Sequence, residues 1–108
     1  MDVQLGARKF VLQQTWGEYK EFLDKDNQFD TRLLAARDAK DYAAAVVIQT
    51  ERVAAHEAQV LKCLKSIEGV EFAGSLDSLQ YEEPARLAKK LLNPDADVSG
   101  KTDPFGEG

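Results

Sequence analysis

One cysteine and one histidine in 108 residues leave this chain little of the usual equipment for chemistry. With Cys63 alone no internal disulfide is possible, so the fold depends on no covalent staple. The longest purely apolar run, Ala43 to Ile48, is six residues, where a membrane-spanning helix needs about twenty. No span is expected, which leaves room for peripheral association with a membrane complex. Met1 is followed by Asp2 and not by a basic and then apolar leader, so no secretory or transit peptide is expected, and the compartment stays undetermined. No basic cluster stands out, because Arg8 and Lys9, Lys62 and Lys65, and Arg86, Lys89 and Lys90 are scattered among acids. A surface that neutralises a phosphate backbone looks different, and nucleic acid is not an expected partner. A glycine-rich phosphate loop is also missing, since the glycines near the C-terminus follow no strand-then-helix pattern.

What is present suits a folded helical domain. Hydrophobic residues make up 44% and charged residues 31%, too apolar a balance for a chain disordered throughout. The formal net charge is −5. Residues 93 to 108 carry Asp95, Asp97, Asp103 and Glu107 against Lys101, which accounts for −3 and leaves −2 for the rest.

The most regular stretch is Asp41 to Ile67, which has neither glycine nor proline. Tyr42, Val46, Gln49, Val53, His56, Val60, Cys63 and Ile67 recur at alternating steps of four and three, the rhythm of a helix-packing seam. Val47, Ala54 and Leu61 add a second column, with Ala43, Thr50 and Leu64 between, so the apolar arc covers roughly 160 degrees, more than one partner helix needs. Gly69 is expected to cap this helix in a left-handed conformation. Upstream, Leu5, Leu12, Trp16, Tyr19 and Leu23 predict a first helix from Val3 to about Leu23, with Gly17 permitting close approach of another backbone. The polar run Asp24-Lys25-Asp26-Asn27-Gln28 predicts a turn. A second helix would begin near Thr31, and either break before Asp41, with Asp41 as N-cap, or run straight on to Ile67. Lys40-Asp41-Tyr42-Ala43-Ala44-Ala45 resembles the inter-helix turn of tetratricopeptide-type hairpins, but no second copy stands at their period of about thirty-four residues. Pro84, Leu87, Leu91, Leu92 and Asn93-Pro94 mark a short last helix and its stop.

Candidate chemical groups do not assemble on these elements. His56 and Cys63 lie about 10.5 Å apart along a helix, too far for a nucleophile and its base. A metal site on one helix wants a second ligand three or four positions from the histidine, and His56 has Arg52, Val53, Gln59 and Val60 there. A lone axial histidine for haem remains open. The acid pairs Asp24/Asp26 and Glu82/Glu83 read as solvated surface.

The expected fold is therefore all-α: a small antiparallel bundle of three to four helices over residues 1–92, with one long central helix and an extended acidic tail over 93–108. The expected function is that of a non-catalytic accessory or assembly subunit of a larger protein complex, without cofactor. Its contacts would run through Trp16, Tyr19, Val98 and Phe105. Asp103-Pro104-Phe105 resembles the short motif that clathrin-adaptor appendages recognise, and offers one aromatic in an extended acidic segment. The alternative is a helical bundle that binds a metal or haem-type cofactor through His56.

Overall fold

The computed structural model describes residues 1–98. Its first element is a β-hairpin where a helix was expected. Strands β1 (Asp2–Leu5) and β2 (Arg8–Leu12) pair antiparallel with Leu5 opposite Arg8. Gly6 takes φ 60° in the two-residue connection, the conformation that a tight hairpin turn asks of glycine. Val3, Leu5, Phe10 and Leu12 are buried, so the apolar residues alternate with period two. The seven- and four-residue steps that suggested a helix from Val3 to Leu23 join residues of three different elements.

The long helix α1 (Trp16–Asp38) begins after a short connection. Thr15 caps it, accepting a hydrogen bond from Glu18 N, and the Glu18 side chain returns one from Thr15 N. This capping box satisfies two donors that a helix start leaves unpaired. Apart from its chain neighbours and its own helix's backbone, no atom stands within 4 Å of where a Cβ on Gly17 would lie, so the close approach expected there does not occur. The run from Asp24 to Gln28 is helical, not a turn, and α1 passes straight through it.

The break before Asp41 is real. Asp41 N bonds Ala36 O at 2.8 Å and Lys40 N bonds Arg37 O at 3.0 Å, with Lys40 at φ 58°, the Schellman arrangement that ends a helix. Asp41 then caps α2 (Tyr42–Cys63) by accepting from Ala44 N. α2 stops four residues short of Ile67, because Leu64 turns to extended backbone and opens β3 (Leu64–Ile67) directly. β3 turns through Glu68 and Gly69, at φ 53° and 78°, into β4 (Val70–Glu71). Two successive positive φ angles are those of a type I′ turn, so Gly69 serves a β-hairpin and not a helix end.

The four strands form one antiparallel sheet in the order β1-β2-β3-β4. The fold therefore combines three helices with a four-stranded sheet, and the all-α bundle is incorrect. The pair α1–α2 is an excursion between neighbouring strands β2 and β3. A 3-10 turn at Leu76–Ser78 leads to α3 (Glu83–Leu92), where Pro84 and the stop at Asn93 agree with expectation.

Two hydrophobic cores result. The proximal one joins Val3, Leu5, Phe10, Leu12 and Leu64 of the sheet to Phe22, Val60, Cys63, Leu87 and Leu91. Burying each large apolar side chain contributes about 1.5–3 kcal/mol. Segment 93–98, expected to be part of an extended tail, returns to this core: Val98 is buried in it, Ala96 packs against it, and Lys90 Nζ donates to Ala96 O at 2.8 Å. The distal core holds Phe29, Leu33, Ala36 and Ile48 between α1 and α2. Among the described residues, no helix is long and apolar enough to cross a membrane.

The left-handed backbone at Lys40 gives a direct test. Glycine at that position of a Schellman motif removes the Cβ penalty, so Lys40→Gly should raise stability by about 0.5–1 kcal/mol. Urea unfolding followed by circular dichroism measures it; an unchanged or lower midpoint would contradict the assignment of strain to this turn.

Candidate functional site

Between the two cores lies a charged layer. Phe22, Asp26, Phe29, Leu33 and Ala36 are the buried residues of α1, at helical steps of four, three, four and three. Asp26 thus occupies a core position of an otherwise apolar face. Arg52 and His56, four apart and so on one side of α2, meet it there. Arg52 Nε donates to Asp26 Oδ1 at 2.8 Å and Arg52 Nη2 to Oδ2 at 2.7 Å, while His56 Nε2 lies 2.7 Å from Oδ1. Arg52 Nη1 also pairs with Asp30 at 2.8 Å. The His56 ring stands edge-on to Phe22, with centroids 5.4 Å apart.

The electrostatics follow from these contacts. Burial works against the Asp26 carboxylate, but hydrogen bonds from Arg52 and His56, with their charges, outweigh it and hold its carboxyl below the usual aspartate range. The same bond to Asp26 raises Arg52 above its ordinary value, against desolvation. A bidentate arginine–carboxylate fork is the strongest common geometry for such a pair. Asp26 was expected on the solvated surface; its partners lie 26 and 30 residues away, which no local pattern reveals. The second acid expected at the surface, Glu83, is likewise buried. Arg8 Nη2 donates to Glu83 Oε1 at 3.2 Å, and Arg8 Nε lies 2.9 Å from Oε2 as an ion pair. Glu83 also accepts from Gln80 N at 2.7 Å, and Arg8 donates to Ser78 O at 2.9 Å, which fastens the start of α3 to β2.

The remaining sequence candidates are dispersed. Trp16 is 73% exposed at the start of α1, its ring 5.5 Å from that of half-buried Tyr19. Val98 is in the proximal core, and Phe105 lies outside the described residues. Cys63 is fully buried; burial, then the nearby Glu18 charge, push its thiol pKa up, which disfavours the reactive thiolate. Among the described residues no group of three or more His, Cys, Asp or Glu side chains could hold a metal ion. The Nε2 atom of His56, where an axial ligand would bind iron, faces Asp26.

The other side of α2 has the opposite character. From Tyr42 to Ala55 the charged residues are Glu51 and Arg52, and both reach toward α1: Glu51 pairs with Arg32 at 3.0 Å, and Arg52 with Asp26 and Asp30. Exposed to solvent are Tyr42 and Val46, each at 66%, with Val47 and Val53. A surface helix normally turns its charges outward and its apolar stripe inward; over about its first four turns this one packs small apolar residues inward, pairs its two charges with α1 and leaves valines outward. The expected seam of Tyr42, Val46, Gln49 and Val53 is therefore not the side that packs on α1. Ala44, Ala45, Ile48 and Ala55 fill that role. Two shallow hollows follow the outward strip. One is lined by Val46, Gln49, Thr50, Val53, Ala54 and Glu57. The next, of 420 Å³, shares Val53 and Glu57 and adds His56, Tyr81, Pro84 and Arg86 among its walls. Tyr81 is 98% exposed on its rim.

Comparison with protein-family models, curated proteins and solved structures gave no match.

Asp26→Ala should cost about 3 kcal/mol, the low end for breaking a buried pair, because Asp30 still holds Arg52. The pH dependence has a definite sign. Asp26 has a depressed folded pKa, so its stabilisation is complete above the unfolded value, about 3.9, and is lost as pH falls through the lower folded value. Urea midpoints measured down this range should fall more steeply in the natural chain than in Asp26→Asn. Parallel curves would remove the carboxylate from this role.

Proposed function

We propose that the chain is a non-catalytic accessory or assembly subunit that holds another protein surface against the outward face of α2. The observation that carries this reading is the inverted charge pattern of that helix. Its two charges between Tyr42 and Ala55 are engaged with α1, while Tyr42, Val46, Val47 and Val53 stand in water. Scattered surface valines need no explanation, but contiguous apolar residues on one uncharged helix face mark an interaction site. The rigidity of the hairpin supports it, since Asp26 clamps α1 to α2 behind this face and presents it preformed, which lowers the ordering cost of binding. The absence of catalysis rests on the same chemistry: His56 is engaged with Asp26, and the one thiol is buried and held protonated.

A photo-reactive amino acid placed at Val46 or Val53 in cells that produce the chain should give a discrete cross-linked protein species, whereas the same group at exposed Lys25 should not. Adding a glutamate at the other valine of the pair should remove the product while leaving the circular dichroism spectrum unchanged. Equal yields from all three positions would defeat the reading.

A further inference from the structure

The outward strip carries both halves of a self-complementary contact, and we infer that its occupant is a second copy of this chain, packed antiparallel about a two-fold axis beside Gln49 and Thr50. This rests on the docking reading above and specifies its partner. A symmetric pair needs each protrusion to find its recess on the same surface at the same distance from the axis. Tyr42, 66% exposed, is the protrusion at one end. The 420 Å³ hollow walled by Val53, His56, Glu57, Tyr81 and Pro84 is the recess at the other.

Helix geometry sets the register. With 1.5 Å of rise per residue, Tyr42 lies about 11 Å from a point between Gln49 and Thr50, and His56 and Glu57 lie about 10–11 Å on the opposite side. The two-fold operation therefore brings the Tyr42 of each copy to the level of the other's hollow. Val46 falls opposite Val53 twice, and Gln49 and Thr50 meet across the axis. The steps of four and three along Tyr42, Val46, Gln49 and Val53 are those of helices that interlock side chains along a shared seam. Between Tyr42 and Ala55 the two charges, Glu51 and Arg52, are paired with α1, and within the contact the charge that lines the strip is Glu57, at the recess. Lys40, exposed just before Tyr42, arrives at the rim where Glu57 borders the hollow, Glu82 being paired there with Arg86 at 3.7 Å. Antiparallel helices also oppose their dipoles favourably. Aromatic residues seated in pockets dominate contacts of this kind, here Tyr42 twice. A strip one helix wide with Tyr81 at each end is narrow beside the roughly 1,200–2,000 Å² that specific interfaces bury, which suits a weak, reversible pair.

Sedimentation velocity from about 1 μM to 1 mM should show a monomer–dimer equilibrium. Tyr42→Ala should weaken it by about tenfold or more, and the double variant Val46→Glu, Val53→Glu should abolish it. Each altered side chain is solvent-exposed in the single chain, so circular dichroism should not change. Under mild oxidation, Val46→Cys mixed with Val53→Cys should form the unlike cross-link in preference to either like pair. A monomer throughout, a dimer indifferent to these changes, or preferential like-with-like cross-linking would overturn the inference. A monomer that still gives the valine-specific photo-cross-link to a different protein would overturn the second copy alone and leave the docking reading standing. Loss of both would end both.

Discussion

The fork between Arg52 and the Asp26 carboxylate is the constraint on which the helical hairpin depends. α1 and α2 touch through small residues, a distal core of four buried side chains and Phe22, which packs in the proximal core and meets His56 edge-on. A carboxylate at a core position is costly unless its bonding capacity is filled. Arg52 and His56 fill it, and Asp30 takes a further arginine donor. The result fixes register as apolar contacts alone do not, because sliding one helix by a single residue would leave a charge unpaired. It also explains the inverted character of α2: the side chains that would ordinarily solvate its outer face are spent on the inner one.

How much of this was legible follows from the range of each interaction. The helical content of Asp41 onward and the short C-terminal helix were plain, because periodicity and proline act within a few residues; Asp41 as N-cap was one of two readings, the other a helix unbroken from Thr31. The strands were not. β1 and β2 are four and five residues long, and over so short a span Leu5 and Leu12 fall in step with Trp16, Tyr19 and Leu23 on one helix face, while Val3 and Phe10, on the opposite side of such a helix, carry the alternation of a strand. The helix-to-strand change at Leu64 has no breaker at all; pairing with β2, some fifty residues upstream, overrides the propensity of Leu64 and Lys65. The useful local signal was Thr15 with Glu18, a capping pair that starts a helix after a strand instead of continuing one.

The misreading of Asp24 to Gln28 has the same origin. A run without an apolar residue resembles a turn when every polar residue is taken as solvated. Placed in the series Phe22, Asp26, Phe29, Leu33, Ala36, Asp26 keeps the helical spacing and only its chemistry is exceptional. His56 drew attention as a ligand because it was the only histidine; its partner was an acid already assigned to the surface. The apolar arc of α2 was visible in full, but the sequence does not say which part of it faces α1. That choice is made by Arg52, whose partner lies on the other helix.

The junction between α2 and β3 has a mechanical consequence. Cys63 is the last helical residue and Leu64 the first of the strand, both buried, with no residue between them. At the other root of the hairpin, Gln13, Gln14 and Thr15 separate β2 from α1. The hairpin therefore joins the sheet through a short connection at one root, where Gln13 N bonds Cys63 O and Gln14 bonds Leu91 O, and through none at the other. A load applied along the outer face of α2 cannot be absorbed by a loop and passes as torque into the central strands of the sheet. The excursion behaves as a stiff lever whose fulcrum is the β2–β3 pair.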